Sequence, residues 1–344
     1  VIARIERTLF APGTGRRLLV TEVVLAAVIG LRIACGPYRG LAGQPPALFR
    51  PVSFLRVLDA MPGPAVILGL QVVGTLAATL AVAGWRRRAA FPVAWVCLLV
   101  LAGLRSSRGK ILHNDALLLL AAVPFLLAPA VRWRDRAAAA PSVRYGWPVR
   151  TATVVVAGVY FFSGLAKLVH SGPAWVVTDN MRYVLYGAAA GGKVTFPEVP
   201  AWLAGQAALA HGLAAAILLL ELTFPVVLVA RRRRVAAAYA GAAVAFHAGT
   251  WLVLGLDYWA WAAVAVVVLV DCCPLVERLS RYRLRSPPPF RSGAGNRPWP
   301  VDVVGAEACH PVARRKKAED RTCEIAPAGA HASSPPRSPP PPSS

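Results

Sequence analysis

The sequence predicts an all-α, polytopic transmembrane bundle of about eight helices. Three observations carry this. The chain is 56% hydrophobic and only 16% charged, with a mean hydropathy of +0.53. Apolar runs of about 17–25 residues recur along it, the length a helix needs to cross a bilayer. Arginines close these runs, as expected of basic loop ends that face anionic head groups.

The runs place helices at 18–34, 64–84, 89–104, 111–130, 148–168, 201–229, 235–254 and 257–277. Helices are required because unpaired backbone polar groups are too costly in lipid. The third is short, and the sixth is long enough to tilt or to extend past the bilayer. The first run starts near Leu18 without a small-residue cleavage site, so it reads as a retained helix. Residues 1–17 precede the bundle and 278–344 follow it. That last stretch is basic and rich in Pro and Ser, with "SPPPF" and "SSPPRSPPPPSS", and has the composition of an unpacked tail.

The formal charge is +22. In a soluble protein this would suggest a nucleic-acid partner. Here the charge lies in clusters between apolar runs, so the expected partners are membrane lipids, with no nucleic acid. Arg16–Arg17, Arg86–Arg88, Arg132–Arg134–Arg136, Arg231–Arg234 and Arg281–Arg283–Arg285 fall on one side of the eight-helix threading. The positive-inside rule puts that side, and with it both termini, in the cytoplasm. The protein is then a multi-pass protein of the cell membrane.

Long loops join some runs. Residues 35–63 read equally as an interfacial helix or an ordinary connector, and 169–200 as a partly helical cap with Trp175, Tyr183 and Tyr186 at the interface. The six cysteines, Cys35, Cys97, Cys272, Cys273, Cys309 and Cys323, form no C-x-x-C pair and suggest neither a disulfide framework nor a metal grip. No nucleotide-binding loop, Rossmann glycine pattern, H-E-x-x-H or haem C-x-x-C-H occurs.

Four polar interruptions are the candidate sites. In "RGKILHNDALLLL", His113 is placed for a buried outer site, while Asn114 or Asp115 can cap the fourth helix. In "YFFSGLAKLVHSG", Lys167 lies about 25 Å beyond Arg150, near the outer edge of the hydrocarbon. It either snorkels to the surface or is a desolvated amine able to act as a base. Ser163 and Gly164 share its face, and their small size permits close packing or leaves room for a ligand. In "QAALAHGLAAAILLLELTFP", Glu221 sits about 15 Å from the arginine border, near mid-membrane. A carboxylate there needs a partner, a proton or a cavity. His211 lines an adjacent part of the same helix surface, and Pro225 is placed to kink it. In "AFHAGTWLVLGL", His247 is also deep, with Thr250 and Trp251 on its face.

The run "YFFSGLAKLVHSGPAWVVTDNMRYVLYG", followed by "ELTFPVVL" and "AFHAGTW", resembles the lysine-bearing and later helices of vitamin K-dependent gamma-carboxylases and of their bacterial transmembrane relatives, the HTTM (horizontally transferred transmembrane) family. The resemblance covers about residues 15–275. It implies a membrane enzyme, of lyase or oxidoreductase type, in which a reduced quinone such as vitamin K hydroquinone reacts with dioxygen. The strong base so formed removes a gamma proton from a protein glutamate. Lys167 matches the base that starts the oxidation, Glu221 and His247 match the polar residues of the later helices, and His113 and Asn114 lie near an Asn–His pair, here in reversed order. His211, Asn114, Ser163 and Trp251 are then expected to line the lipophilic ligand. Where the carboxylases continue into a large extracytoplasmic portion, this sequence has its Pro-rich tail, so protein gamma-carboxylation is not expected of it. Two other readings stay open: a transporter of a small or lipid-like solute, and a non-catalytic assembly protein.

Overall fold

The structure, a computed structural model, describes residues 10–133, 135, 140–230 and 232–271. The tail over 278–344, with Cys309, Cys323 and His310, lies outside them, as do Cys272, Cys273 and residues 1–9.

Six helices are long and apolar enough to cross a membrane. They are α1 (Gly15–Cys35), α2 (Pro64–Ala83), α3 (Arg87–Ser106), α5 (Val143–Ser171), α9 (Ala207–Thr223, continued by α10, Val226–Val229) and α11 (Arg233–Leu254). Two further apolar helices, α4 (Ala116–Leu126) and α12 (Trp259–Leu269), have 11 residues each. At 1.5 Å per residue each covers only about half the hydrocarbon thickness. The eight apolar segments are therefore all helical, but α4 is shorter than the expected 111–130. Pro124 lies inside it and Pro129 just past it, and each lacks the amide needed to extend the ladder.

Contacts at the two ends fix the up-and-down course. At one end, the residues entering α1 pair with those entering α5 through the bridge Gly13–Ser142. Arg17 Nη2 donates to Val268 O at the close of α12 (3.2 Å), and Arg87 donates to Ala81 O and Val131 O. Among the described residues of the arginine clusters, Arg17, Arg87 and Arg132 lie at this end. Thr14 and Ser142 cap α1 and α5, each hydroxyl accepting a first-turn amide. At the other end, Arg32 of α1 reaches Asp115 before α4 and Asp257 before α12.

The core is made where α1–α5 and α12 converge. Leu18, Leu25, Ile29 and Ile33 of α1 are fully buried against Leu98, Leu101 and Leu118. The outer faces stay apolar: Val66, Val72, Val73 and Leu76 of α2 are all exposed. A water-facing helix would carry charges there, and an exposed apolar face of this kind on a long apolar helix is a lipid-facing surface. The chain is thus a multi-pass membrane protein.

Residues 36–63 form three 3-10 turns, Arg39–Leu41, Pro46–Leu48 and Ser53–Val57, in place of a continuous interfacial helix. Tyr38, Leu41, Phe49 and Leu55 are buried, so the segment is packed onto the bundle end, and Arg50 N donates to Ser107 O at 2.7 Å. Over 169–205 the chain folds into α6 (Ala174–Val177), α7 (Asn180–Ala190) and α8 (Glu198–Gly205). Tyr183 and Tyr186 are exposed, as expected for an interfacial cap. The long sixth span divides. Gln206 breaks it before α9, and the helix stops at Thr223 before Pro225, whose missing amide also accounts for the interruption between α9 and α10.

Candidate functional site

The seam between α5 and α9 holds the site. Gly164 brings the two helices together. A Cβ there would stand 2.9 Å from Glu221 Cβ and 3.2 Å from Leu222 Cγ, so only glycine permits this approach. Gly164→Val is expected to force the helices apart and to cost about 1–3 kcal/mol, read by chemical or thermal unfolding in detergent.

The close approach sets Lys167 against Glu221. Lys167 Nζ donates to Glu221 Oε2 at 2.7 Å, to Oε1 at 2.8 Å and to Ser163 Oγ at 3.1 Å. Ser163 Oγ in turn donates to Oε1 at 3.1 Å. The three groups close a hydrogen-bonded triangle. Its two charged side chains differ in access: that of Glu221 is 4% exposed and that of Lys167 is 21% exposed. Lys167 Nζ also stands 5.5 Å from the centroid of the Trp175 ring, within cation–π range. The lysine therefore does not merely reach back to the surface. Its head turns onto a buried carboxylate, and one side of it stays accessible.

One turn deeper on the same α5 face lies Tyr160. Its ring stacks on Phe224 (centroids 4.1 Å apart, planes 7° apart), and Tyr160 Oη shares a 2.7 Å hydrogen bond with His247 Nε2 of α11. His247 Nδ1 is buried without a partner. The imidazole packs beside Tyr258 and Trp261 of the α12 entry, with ring centroids 5.8 Å away in both cases. Tyr258 Oη shares a 2.8 Å hydrogen bond with His113 Nε2, and Trp261 Nε1 donates to Asn114 O at 2.9 Å. Burial first, then the nearby Lys167 and Lys110 cations, hold His113 below the usual imidazole range. His113 sits in the turn before α4, outside the spanning helices.

The structure thus brings Lys167, Glu221 and Ser163 into direct contact, and joins His247 to His113 through aromatic side chains. It places the remaining residues differently. Asn114 is structural in its contacts: Nδ2 donates to Asp257 O at 2.6 Å. Neither Asn114 nor Asp115 caps α4. Asp115 occupies the capping position, but its carboxylate is drawn to Arg32 instead (2.6 Å), a stronger charge-assisted bond. Trp251 is 61% exposed, on the outer face of α11, while Thr250 Oγ1 donates to His247 O. His211 is half-buried, with Nε2 enclosed and unpartnered. The indole nitrogen of Trp175 is likewise enclosed and unpartnered. Trp175 packs on the small cluster that includes Ala210 and Ala214, which bracket His211 in the chain.

Sequence reasoning passed over Tyr160, Phe224, Tyr258 and Trp261. Tyr160 was signalled by helical spacing, since it lies three and four residues before Ser163 and Gly164. It also passed over Arg32, a cation inside the first span, and intramembrane charge is itself a pointer to a partner. Among the described residues, no group of three or more His, Cys, Asp or Glu side chains is placed to hold a metal ion.

Comparison of the chain with protein-family models, with curated proteins and with solved structures yields no match.

Proposed function

We propose that the protein is a membrane enzyme carrying out base-assisted proton-transfer or redox chemistry on a lipophilic, quinone-like substrate, with Lys167 and Glu221 as its proton-handling pair. The observation that carries this reading is the Lys167–Ser163–Glu221 triangle: an amine and a carboxylate hydrogen-bonded on a buried seam, with the amine still reachable. In the amine-and-acid form of the pair, Lys167 accepts the proton of a substrate hydroxyl. The substrate O–H bond breaks, and the resulting oxyanion lies beside the new ammonium in a poorly hydrated site, where electrostatic stabilisation is strong.

A reduced quinone suits these residues. Trp175 offers a ring face beside Lys167, and the enclosed nitrogens of Trp175 and His211 are polar groups still lacking partners. When bound, such a molecule would supply two electrons and two protons, with dioxygen as the acceptor that the HTTM and carboxylase resemblance implies. Gamma-carboxylation of a protein is not part of the proposal. The positive-inside rule would put the arginine-rich end in the cytoplasm and this site toward the outer leaflet.

Transport is the less supported reading. Tyr160 and Phe224, stacked and almost wholly buried, stand on the seam where a polar route would have to continue toward the arginine-rich end.

The test is oxidation of a reduced naphthoquinone by the protein in lipid nanodiscs under oxygen, followed by absorbance. The wild type is expected to turn over. Lys167→Arg keeps a cation for Glu221 but cannot give up its proton, so it is expected to fold and to lose activity by about 100-fold or more. Equal rates in the two proteins, or no oxidation of any quinol by the wild type, would overturn the reading.

A further inference from the structure

A second site lies at the opposite, arginine-rich end of the bundle. A cavity of about 340 Å³ opens there between the α2–α3 turn and the end of α4. This is within the usual range for small-ligand sites, about 300–1,000 Å³. Its walls carry charge of both signs. Glu22 of α1 is one, 7% exposed, with no hydrogen bond or ion pair from its carboxylate among the described residues. Arg87 and Arg88 are the cations whose field reaches it.

The arginines around the cavity differ in what they already hold. Arg87 is committed, donating to Ala81 O (3.2 Å) and Val131 O (3.1 Å), and so ties the two walls together. Arg86 lies over Trp85. Arg88 is exposed and makes no hydrogen bond or ion pair among the described residues. Its helix, α3, begins here without a side-chain cap, so first-turn amides and the positive end of the helix dipole face the same region. Across the cavity stand the last residues of α4, Phe125 and Leu126, where the dipole presents its negative end.

The cavity lining therefore holds cation-seeking groups, Glu22 and the α4 end, together with anion-seeking groups, Arg88 and the α3 start. Phe91, Pro92 and Phe125 give it an apolar lining between them. A simple anion would be opposed by Glu22, and a simple cation by the arginines. We infer that this cavity binds a zwitterion carrying a primary ammonium and a phosphate, the ammonium donating to Glu22 and the phosphate meeting Arg88 and the free α3 amides. A buried carboxylate needs hydrogen-bond donors as well as positive charge, which a primary ammonium supplies and a quaternary one does not. The same chemistry occurs in an aminophospholipid head group and in a free phosphoamine.

Native mass spectrometry of the detergent-solubilised protein, titrated with phosphatidylethanolamine, phosphatidylcholine and phosphatidylglycerol of matched chains, tests this. The wild type is expected to bind phosphatidylethanolamine at least about tenfold more tightly than the other two. Glu22→Gln is expected to remove that preference, weakening phosphatidylethanolamine and strengthening phosphatidylglycerol, while Arg88→Gln weakens phosphatidylethanolamine and phosphatidylglycerol alike. Phosphoethanolamine added as competitor separates the sources: displacement of the lipid identifies the free phosphoamine as sufficient, and persistence of the lipid identifies the lipid as the ligand. Equal affinity of the wild type for all three lipids would overturn the inference without recourse to any variant. So would an unchanged preference in Glu22→Gln.

Discussion

Lys167→Met is expected to destabilise the protein by about 3 kcal/mol and to abolish turnover. The physical reason is the asymmetry of the pair. Glu221 is 4% exposed and takes three hydrogen bonds, two of them from Lys167. Without the ammonium the carboxylate keeps only the Ser163 hydroxyl and must stay charged in an apolar seam or take up a proton. Breaking a buried pair from one side costs about 3–5 kcal/mol, and the partial exposure of Lys167 puts the effect at the lower end. Removing both charges together, in Lys167→Met with Glu221→Leu, is expected to recover most of the stability, because apolar substitution of a whole buried pair is often neutral. It is not expected to recover turnover. Unfolding midpoints in detergent and quinol oxidation rates, measured on the wild type, the single variant and the double variant, separate the two effects. Recovery of activity by the double variant would show that the pair is only a clasp.

Arg32→Leu is the second large effect, expected to cost about 3–5 kcal/mol. Arg32 is 4% exposed and spans two carboxylates, Asp115 through Nε and Asp257 through Nη1, each at 2.6 Å. Asp115 is equally buried, and its other cation, Arg105, stands 3.9 Å away. Loss of the guanidinium leaves Asp115 desolvated and unties α1 from the entries of both short helices. Arg32→Lys is expected to rescue only part of the loss, since one ammonium cannot reproduce a fork that reaches two carboxylates in different directions. Adding Asp115→Asn to Arg32→Leu is expected to recover stability, because it removes the stranded charge. Because Asp257 adjoins Tyr258, which bonds His113, the same variant is expected to disturb the aromatic cluster next to His247. Tryptophan fluorescence of the region around Trp261 would report this.

Which parts of this arrangement were legible in the sequence follows from the range of the forces involved. Apolar runs near bilayer length fixed where helices form, because backbone satisfaction in lipid is a local requirement. The ends were less legible. Pro124 and Pro129 shortened α4, and Pro225 split α9 from α10, effects whose size depends on what neighbouring helices can satisfy. Lys167 and Glu221 stood out singly, since charges inside apolar runs demand an explanation. That they meet did not, because contact between α5 and α9 is a tertiary fact carried by Gly164. Trp251 shows the converse. Spacing put it on the same helix face as His247, yet only His247 turns inward, because a half-turn stripe is wider than the seam it packs into.

The proposed chemistry requires the Lys167 amine to be held by Glu221 within the seam. Solid-state NMR of the protein in lipid bilayers, with nitrogen-15 lysine and carbon-13 glutamate, measures this directly. A through-space contact between Lys167 Nζ and Glu221 Cδ is predicted, present in the wild type and absent in Glu221→Ala. A Lys167 signal coupled only to water, with no glutamate carbon in range, would contradict it.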